Sequence, residues 1–180
     1  MASLFSHAAA AAAIGQAAPG PYRSDWRFWY AAALCSCLPD ADVAGFRFGI
    51  RYEDVWGHRG MTHSLLFAAV LGTVAAARFR PDWRKDGWKL AAVLVAITAS
   101  HGLLDAFTNG GLGVAFFSPF DTTRYFFPWT PIEVSPIGAA RFFSRRGLVV
   151  IVSELKWVWL PSLLLGLLLR GARNWCVRTQ

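Results

Sequence analysis

Two runs, Met61 to Phe79 and Trp88 to Phe107, are long and apolar enough to cross a bilayer, and they restrict the fold more than any other feature of the chain. A hydrocarbon core of about 30 Å takes about 20 helical residues at about 1.5 Å each. Between Leu65 and Ala77 and between Leu90 and Ala99, the only polar side chains are Thr73 and Thr98. A backbone crossing lipid must satisfy its own hydrogen bonds, which here means a helix. A third run, Gly147 to Leu169, is interrupted by Glu154 and Lys156. Composition agrees, with 55% hydrophobic residues and nine Trp in 180 positions and a mean hydropathy of +0.36. Soluble domains hold about 45–50% apolar residues, and one of this size buries only about 70% of its surface. The expectation is an all-α, polytopic transmembrane bundle of about four to five helices, forming a single membrane-embedded domain over residues 1–180.

The remaining segments are shorter. Leu4 to Ala18 is a run of small apolar residues closed by Pro19-Gly20-Pro21, which suits a tightly packed helix too short to span alone. No Lys or Arg precedes it, so it is expected to stay in the mature fold and not to act as a cleavable signal. Trp26 to Leu38 opens with Trp26, Trp29 and Tyr30, an aromatic cluster suited to the headgroup level. Residues 43–61 read as a surface loop. Residues 108–146, with Gly110-Gly111, Pro119, Pro128, Pro131 and Pro136 among aromatics, read as an irregular loop over the site. Cys35, Cys37 and Cys176 offer neither CxxC spacing nor a disulfide framework, and read as small buried residues.

The four histidines and three of the aspartates fall at the ends of these apolar segments. His58 and His63 lie at the start of the Met61 run, in His58-Arg59-Gly60-Met61-Thr62-His63-Ser64. His101 and Asp105, four apart, share a helix face near the end of the next run. Asp40 and Asp42 follow Pro39, and His7 lies near the start of the first helix. With short connections and alternating helix directions, all seven reach the same side. Imidazole and carboxylate together suit a divalent first-row ion, Zn first, with Mn or Fe as alternatives. Seven donors exceed one tetrahedral shell, so one or two ions are expected, a pair being bridged by an aspartate. Arg59 and Arg124 are candidates to grip a phosphate bidentately.

Each feature also has an ordinary structural account. His7 alone reads as a buried histidine, Asp40 and Asp42 as turn residues, Asp105 as a partner of His101 only, and Thr62 and Ser64 as helix N-terminal residues. Glu154 and Lys156 do not share a helix face and read as structural, Glu154 reaching a basic residue of the loop.

A net charge of +7 invites a nucleic-acid reading, but the arginines flank apolar runs, so anionic lipid is the expected counterpart and no nucleic acid. The face away from the histidines would hold Arg23, Arg27, Arg78, Arg80, Arg84, Lys85, Lys89, Arg170, Arg173 and Arg178. The histidine face would hold Arg47, Arg51, Arg59, Arg124, Arg141, Arg145 and Arg146. The bias of Lys and Arg toward the cytoplasm then puts the site on the extracytoplasmic face.

Leu38-Pro39-Asp40-Ala41-Asp42, Gly57 to Ser64, and Ser100-His101-Gly102-Leu103-Leu104-Asp105-Ala106-Phe107-Thr108 occur in the order of three motifs, PDxD, HRGxTHS and HxxxDxxT. In these the chain resembles the YdjM-like family of bacterial inner-membrane proteins, described as membrane-bound metal-dependent hydrolases. The early histidine, Asn109-Gly110-Gly111 and the Pro119 to Pro136 loop extend the resemblance from His7 to Pro136. It implies a multi-pass inner-membrane protein with a divalent-metal hydrolytic site. HxxxD is also similar to the helix-borne ligand pairs of zinc-dependent phospholipases C and related nucleases, which favours a phosphoester substrate by analogy of spacing. The resulting expectation is hydrolysis of a phosphorylated or related lipid at the bilayer surface. In it His7, Asp40, His58, His63, His101 and Asp105 are ligands, and Asp42 is a ligand, an orienting group or a base. A metal-ion or proton transporter and a non-catalytic protein with a structural metal are the alternatives. The apolar interiors of both central helices disfavour a conduction path. The oligomeric state is not legible.

Overall fold

A computed structural model describes residues 1–79 and 81–178; Arg80 and the side chains of Cys176 and Arg178, which entered the expectations above, lie outside the described residues. Helix α1 (Leu4–Ile14) begins at the N-cap Ser3 and ends in a tight turn, Gly15–Ala17, before Pro19. A single turn, α2 (Gly20–Arg23), leads to α3 (Trp26–Cys37), whose N-cap Asp25 accepts from Arg27 N at 2.9 Å. Helix α4 (Leu65–Ala77) is capped by Ser64, and α5 (Trp88–Ala106) is preceded by one wide turn, Trp83–Gly87. After the irregular segment come α6 (Ala139–Phe142), α7 (Arg145–Glu154), a wide turn Leu155–Trp159, and α8 (Leu160–Arg178). The described residues contain no β-strand, only two isolated bridges, Thr108 with Ile132 and Val114 with Tyr125.

Two helical stretches are long and apolar enough to cross a membrane, Trp83–Ala106 of 24 residues and Arg145–Trp175 of 31. The run expected to span from Met61 to Phe79 is a helix only over Leu65–Ala77, because Met61–His63 forms a separate tight turn that points His63 inward. The last run is longer than expected at both ends, and helix resumes within the segment assigned to irregular loop. Within residues 43–61, a 3₁₀ stretch, Leu38–Phe48, replaces the first part of the expected loop.

Alternate directions along the bundle bring the start of α1 and α4 beside the end of α3 and α5. Helices α4 and α5 pack most closely, at Gly72, where a Cβ would lie 2.4 Å from the backbone N of Val95. Helix α1 lies against α3, α5 and α8, its alanines admitting close approach. Phe28, Leu90, Leu94 and Ile97 form the fully buried heart of the apolar core. They occupy the half of the bundle away from the histidines. The polar residues thus gather at one end, over a dry base.

Candidate metal centre

The 3₁₀ stretch after α3 sets the first two ligand directions. At about three residues per turn, positions two apart point to different sides. Asp40 turns under the bundle toward His101, with Oδ1 3.3 Å from its Nε2, while Asp42 turns outward to His58, with Oδ1 2.7 Å from its Nδ1. His63 comes in from the tight turn before α4. Its carbonyl lies where a side chain at position 102 would go, 2.8 Å from that notional Cβ, so Gly102 is the residue that lets this loop settle on α5. His101 and Asp105 follow on one face of α5, as their spacing predicts.

Four donors converge. His63 Nε2 stands 3.1 Å from His101 Nε2, 3.6 Å from Asp40 Oδ1 and 3.6 Å from Asp105 Oδ2. Tetrahedral ligands about 2.0–2.1 Å from a zinc ion are about 3.3–3.4 Å from one another. The three edges at His63 and the His101–Asp40 edge of 3.3 Å bracket that value, and all four atoms lie within 4.8 Å of one another.

Proton positions sharpen the point. His101 Nδ1 is 2.6 Å from the carbonyl of Ser36, which can only accept, so Nδ1 carries the proton and Nε2 presents a lone pair. His63 Nδ1 faces Asp42 Oδ2 at 3.2 Å and Thr62 Oγ1 at 3.0 Å, and the Thr62 hydroxyl donates to the same carboxylate at 2.6 Å. Nδ1 of His63 is therefore a donor too. Its Nε2 either carries a second proton or points a lone pair at that of His101. Burial disfavours charge on His63, but the carboxylates of Asp105, Asp40 and Asp42 gathered around the ring outweigh it and raise its pKa to about 10. The same contacts run in reverse at Asp42: burial would raise its pKa, and the hydrogen bonds from His58 and His63 hold it well below the ordinary range. The carboxylates favour a positive charge at this point.

One proton does not satisfy the pocket. Both side-chain oxygens of Asp40 and both ring nitrogens of His7 are buried with no hydrogen-bond partner among the described residues. Orphaned buried polar groups cost about 1–3 kcal/mol each, more when charged. His7 stacks on His101 with ring centroids 3.7 Å apart, and its Nε2 reaches to 3.6 Å from Asp105 Oδ1 and 4.0 Å from Asp40 Oδ2. An ion among His63, His101, Asp40 and Asp105 would satisfy Asp40, with His7 available as a fifth donor.

Asp42, His58 and His63 form a second group with ligand-like spacing. At 2.7 Å, however, the His58 to Asp42 contact is shorter than a coordination edge and is closed by a proton. Asp42 also accepts from Arg59 N at 3.2 Å. It orients two imidazoles, the arrangement by which carboxylates fix metal-binding histidines. His58 stands one ring further out, edge-on to His63 and Tyr52.

The two arginines are placed otherwise than a phosphate grip requires. Arg59 is wholly buried and spends each of its nitrogens inside the protein: Nε donates to Asp105 Oδ2 at 3.0 Å, Nη1 to the Gly110 carbonyl at 2.7 Å, and Nη2 to Thr108 Oγ1 at 2.9 Å. Its backbone adopts φ +63°, left-handed for a side-chain-bearing residue, at a cost of about 1 kcal/mol or more. That turn lets Arg59 point inward while its amide stays on Asp42. Arg124 donates to the carbonyls of His58 and Tyr52, both at 2.9 Å, and so staples the histidine loop from outside. The Arg59 guanidinium is wholly committed to the fold, and both terminal nitrogens of Arg124 are engaged on backbone carbonyls.

Sequence reasoning passed over several supports. Glu154 does not reach a basic loop residue; it accepts from both the amide and the hydroxyl of Ser3, the N-cap of the helix that carries His7. Ala2 N donates to Asp105 Oδ1 at 2.6 Å. Lys156 lies over the Trp157 ring at 4.6 Å. The only available signal for Glu154 was the cost of a carboxylate in an apolar run, which requires a partner without naming it. Cys35 is buried as expected, and Cys37 is half-buried.

The model of the YdjM inner membrane protein family matches residues 1–175. The chain belongs to this family. Inner membrane protein YbcI of Escherichia coli (strain K12) is 42% identical to this YdjM family member over 149 residues, covering 83% of this chain and 84% of that protein. No solved structure matches it. As a member of the YdjM family it is an inner membrane protein, and its buried His/Asp cluster is a possible metal site.

Proposed function

We propose that this protein is a polytopic, metal-dependent hydrolase of the inner membrane, acting on a phosphoester or related lipid. In this reading α1, α3, α4 and α5 sit in the membrane with the two long helices, and the segment after α5 closes over the site. One ion, Zn first and Mn or Fe next, is held by His63, His101, Asp40 and Asp105. The observation that carries the reading is the pair of Nε2 atoms 3.1 Å apart between two carboxylates, one of them without any hydrogen bond. A divalent ion there would supply Lewis acidity and lower the pKa of a water to about 7. Asp42 holds the His63 ring, and Arg59 holds Asp105. Asp40 is the most exposed residue of the four ligands at 8%. With Arg59 committed to the fold, a bound ion would supply the positive charge that a phosphoester substrate needs.

Protein purified in detergent is expected to carry about one equivalent of metal and to cleave a phospholipid or phosphoester substrate in a chelator-sensitive way, with both properties lost in His63→Ala and His101→Ala. Metal well below one equivalent, unchanged in these variants, overturns the proposal. A second reading is favoured by the burial itself: His7, His101 and Asp105 are at most 1% exposed, as in a closed structural site. It predicts stoichiometric metal that exchanges slowly, with no turnover of any phosphoester.

A further inference from the structure

At the end of the bundle away from the histidines, a cavity of about 880 Å³ opens between α3 and α4. Small-molecule sites span about 300–1,000 Å³. Its floor is made of small side chains, Ala31, Cys35 and Ala75, and its walls of Tyr30, Leu34 and Leu71. Nothing in the described chain fills it.

The cavity is polar at one end only. Helix α3 starts at that end and α4 finishes there, which brings Arg27 and Arg78 to the same mouth, beside the edge-on contact of Tyr22 with Phe79 at 5.9 Å. Both arginines are exposed, and neither guanidinium has a partner among the described residues. Asp25 is the one carboxylate at the mouth, and one of its oxygens is already used in capping α3. From Arg27 the groove follows α3 to Leu38, eleven residues on. At about 1.5 Å per residue that is about 16 Å, close to half of a hydrocarbon core of about 30 Å.

We infer that this groove binds one anionic glycerophospholipid, its phosphate between Arg27 and Arg78 and one acyl chain along Leu71 and Leu34 toward Leu38. Charge complementarity selects the headgroup, and the match of groove length to a single leaflet selects the chain. Guanidinium pairs bind phosphate through parallel N–H donors, which an ammonium-bearing zwitterionic headgroup engages less well. The groove's arginine mouth lies at the end of the bundle away from Asp40 and His63, and only its far tip, at Leu38, comes near the histidine end. The inference does not rest on the proposed hydrolysis.

Native mass spectrometry of the purified protein, incubated with phosphatidylglycerol or phosphatidylethanolamine, tests this directly. One phosphatidylglycerol per chain is expected, retained at least fivefold over phosphatidylethanolamine. The double variant Arg27→Gln/Arg78→Gln should lose that preference, and Ala75→Phe, which fills the floor, should lose both lipids. Unchanged helical circular dichroism and elution volume of these variants in detergent certify the fold. Equal retention of the two lipids by the unaltered protein, wild-type retention by the double arginine variant, or a lipid-free dimer covering the groove would each overturn the inference.

Discussion

At one end of the bundle, α4 meets α5 backbone to backbone at Gly72, over a core of Phe28, Leu90, Leu94 and Ile97. At the other end the same two helices, with α1 and α3, present four histidines and three aspartates, most of them equally buried. The first end is held by shape alone, and alanine and glycine let the helices close. The second is held by matched charge and needs a partner for nearly every donor and acceptor. The difference teaches where each kind of substitution does harm: volume at the dry end, hydrogen-bonding capacity at the wet one.

The largest effect is expected from Arg59→Met. Removing one member of a buried ion pair costs about 3–5 kcal/mol, because Asp105 is left charged and unmatched. Denaturation in mild detergent should register that loss; a change below about 1 kcal/mol would mean that the polar end does not depend on its internal pairing. Next is Gly72→Ala at the dry end, where the new methyl meets the Val95 backbone and overpacking costs about 1–3 kcal/mol. Metal affinity of the folded protein should stay within about twofold. A large loss of affinity would show the two ends to be coupled. The smallest effect is expected from Asp42→Asn, which keeps the shape but weakens the orientation of His63. Loss of such a supporting carboxylate lowers metal affinity by about 10–100-fold, readable by competition with a chelating dye. Loss of all metal would instead make Asp42 a direct ligand.

Much of the wet end was legible in the order of residues. The spacing of His101 and Asp105 fixes a shared helix face, and the alternation of helix directions brings His7, Asp40 and His63 to the same end. The family match gives the membrane setting. What residue order does not carry is the competition for each donor. Arg59 stands beside His58 in sequence and so reads as substrate-facing, yet its left-handed backbone turns it into the protein. His58 and Asp42 read as ligands by type and do form, with His63, a second group that could hold an ion; residue order does not show the hydrogen bond that also ties them to each other. Helix α4 starts late because His63 needs a separate turn, a demand set by tertiary geometry and invisible in its apolar pattern.

Glu154 holds Ser3 across 151 positions of chain. Synthesis delivers the two ends of that contact at opposite times, since a chain grows from its N-terminus at about 5–20 residues per second. The Ser3 turn can gain this contact only once the last long helix has been made. The N-cap of the helix that carries His7 therefore receives its last support late, after the other helices of the cluster have been made.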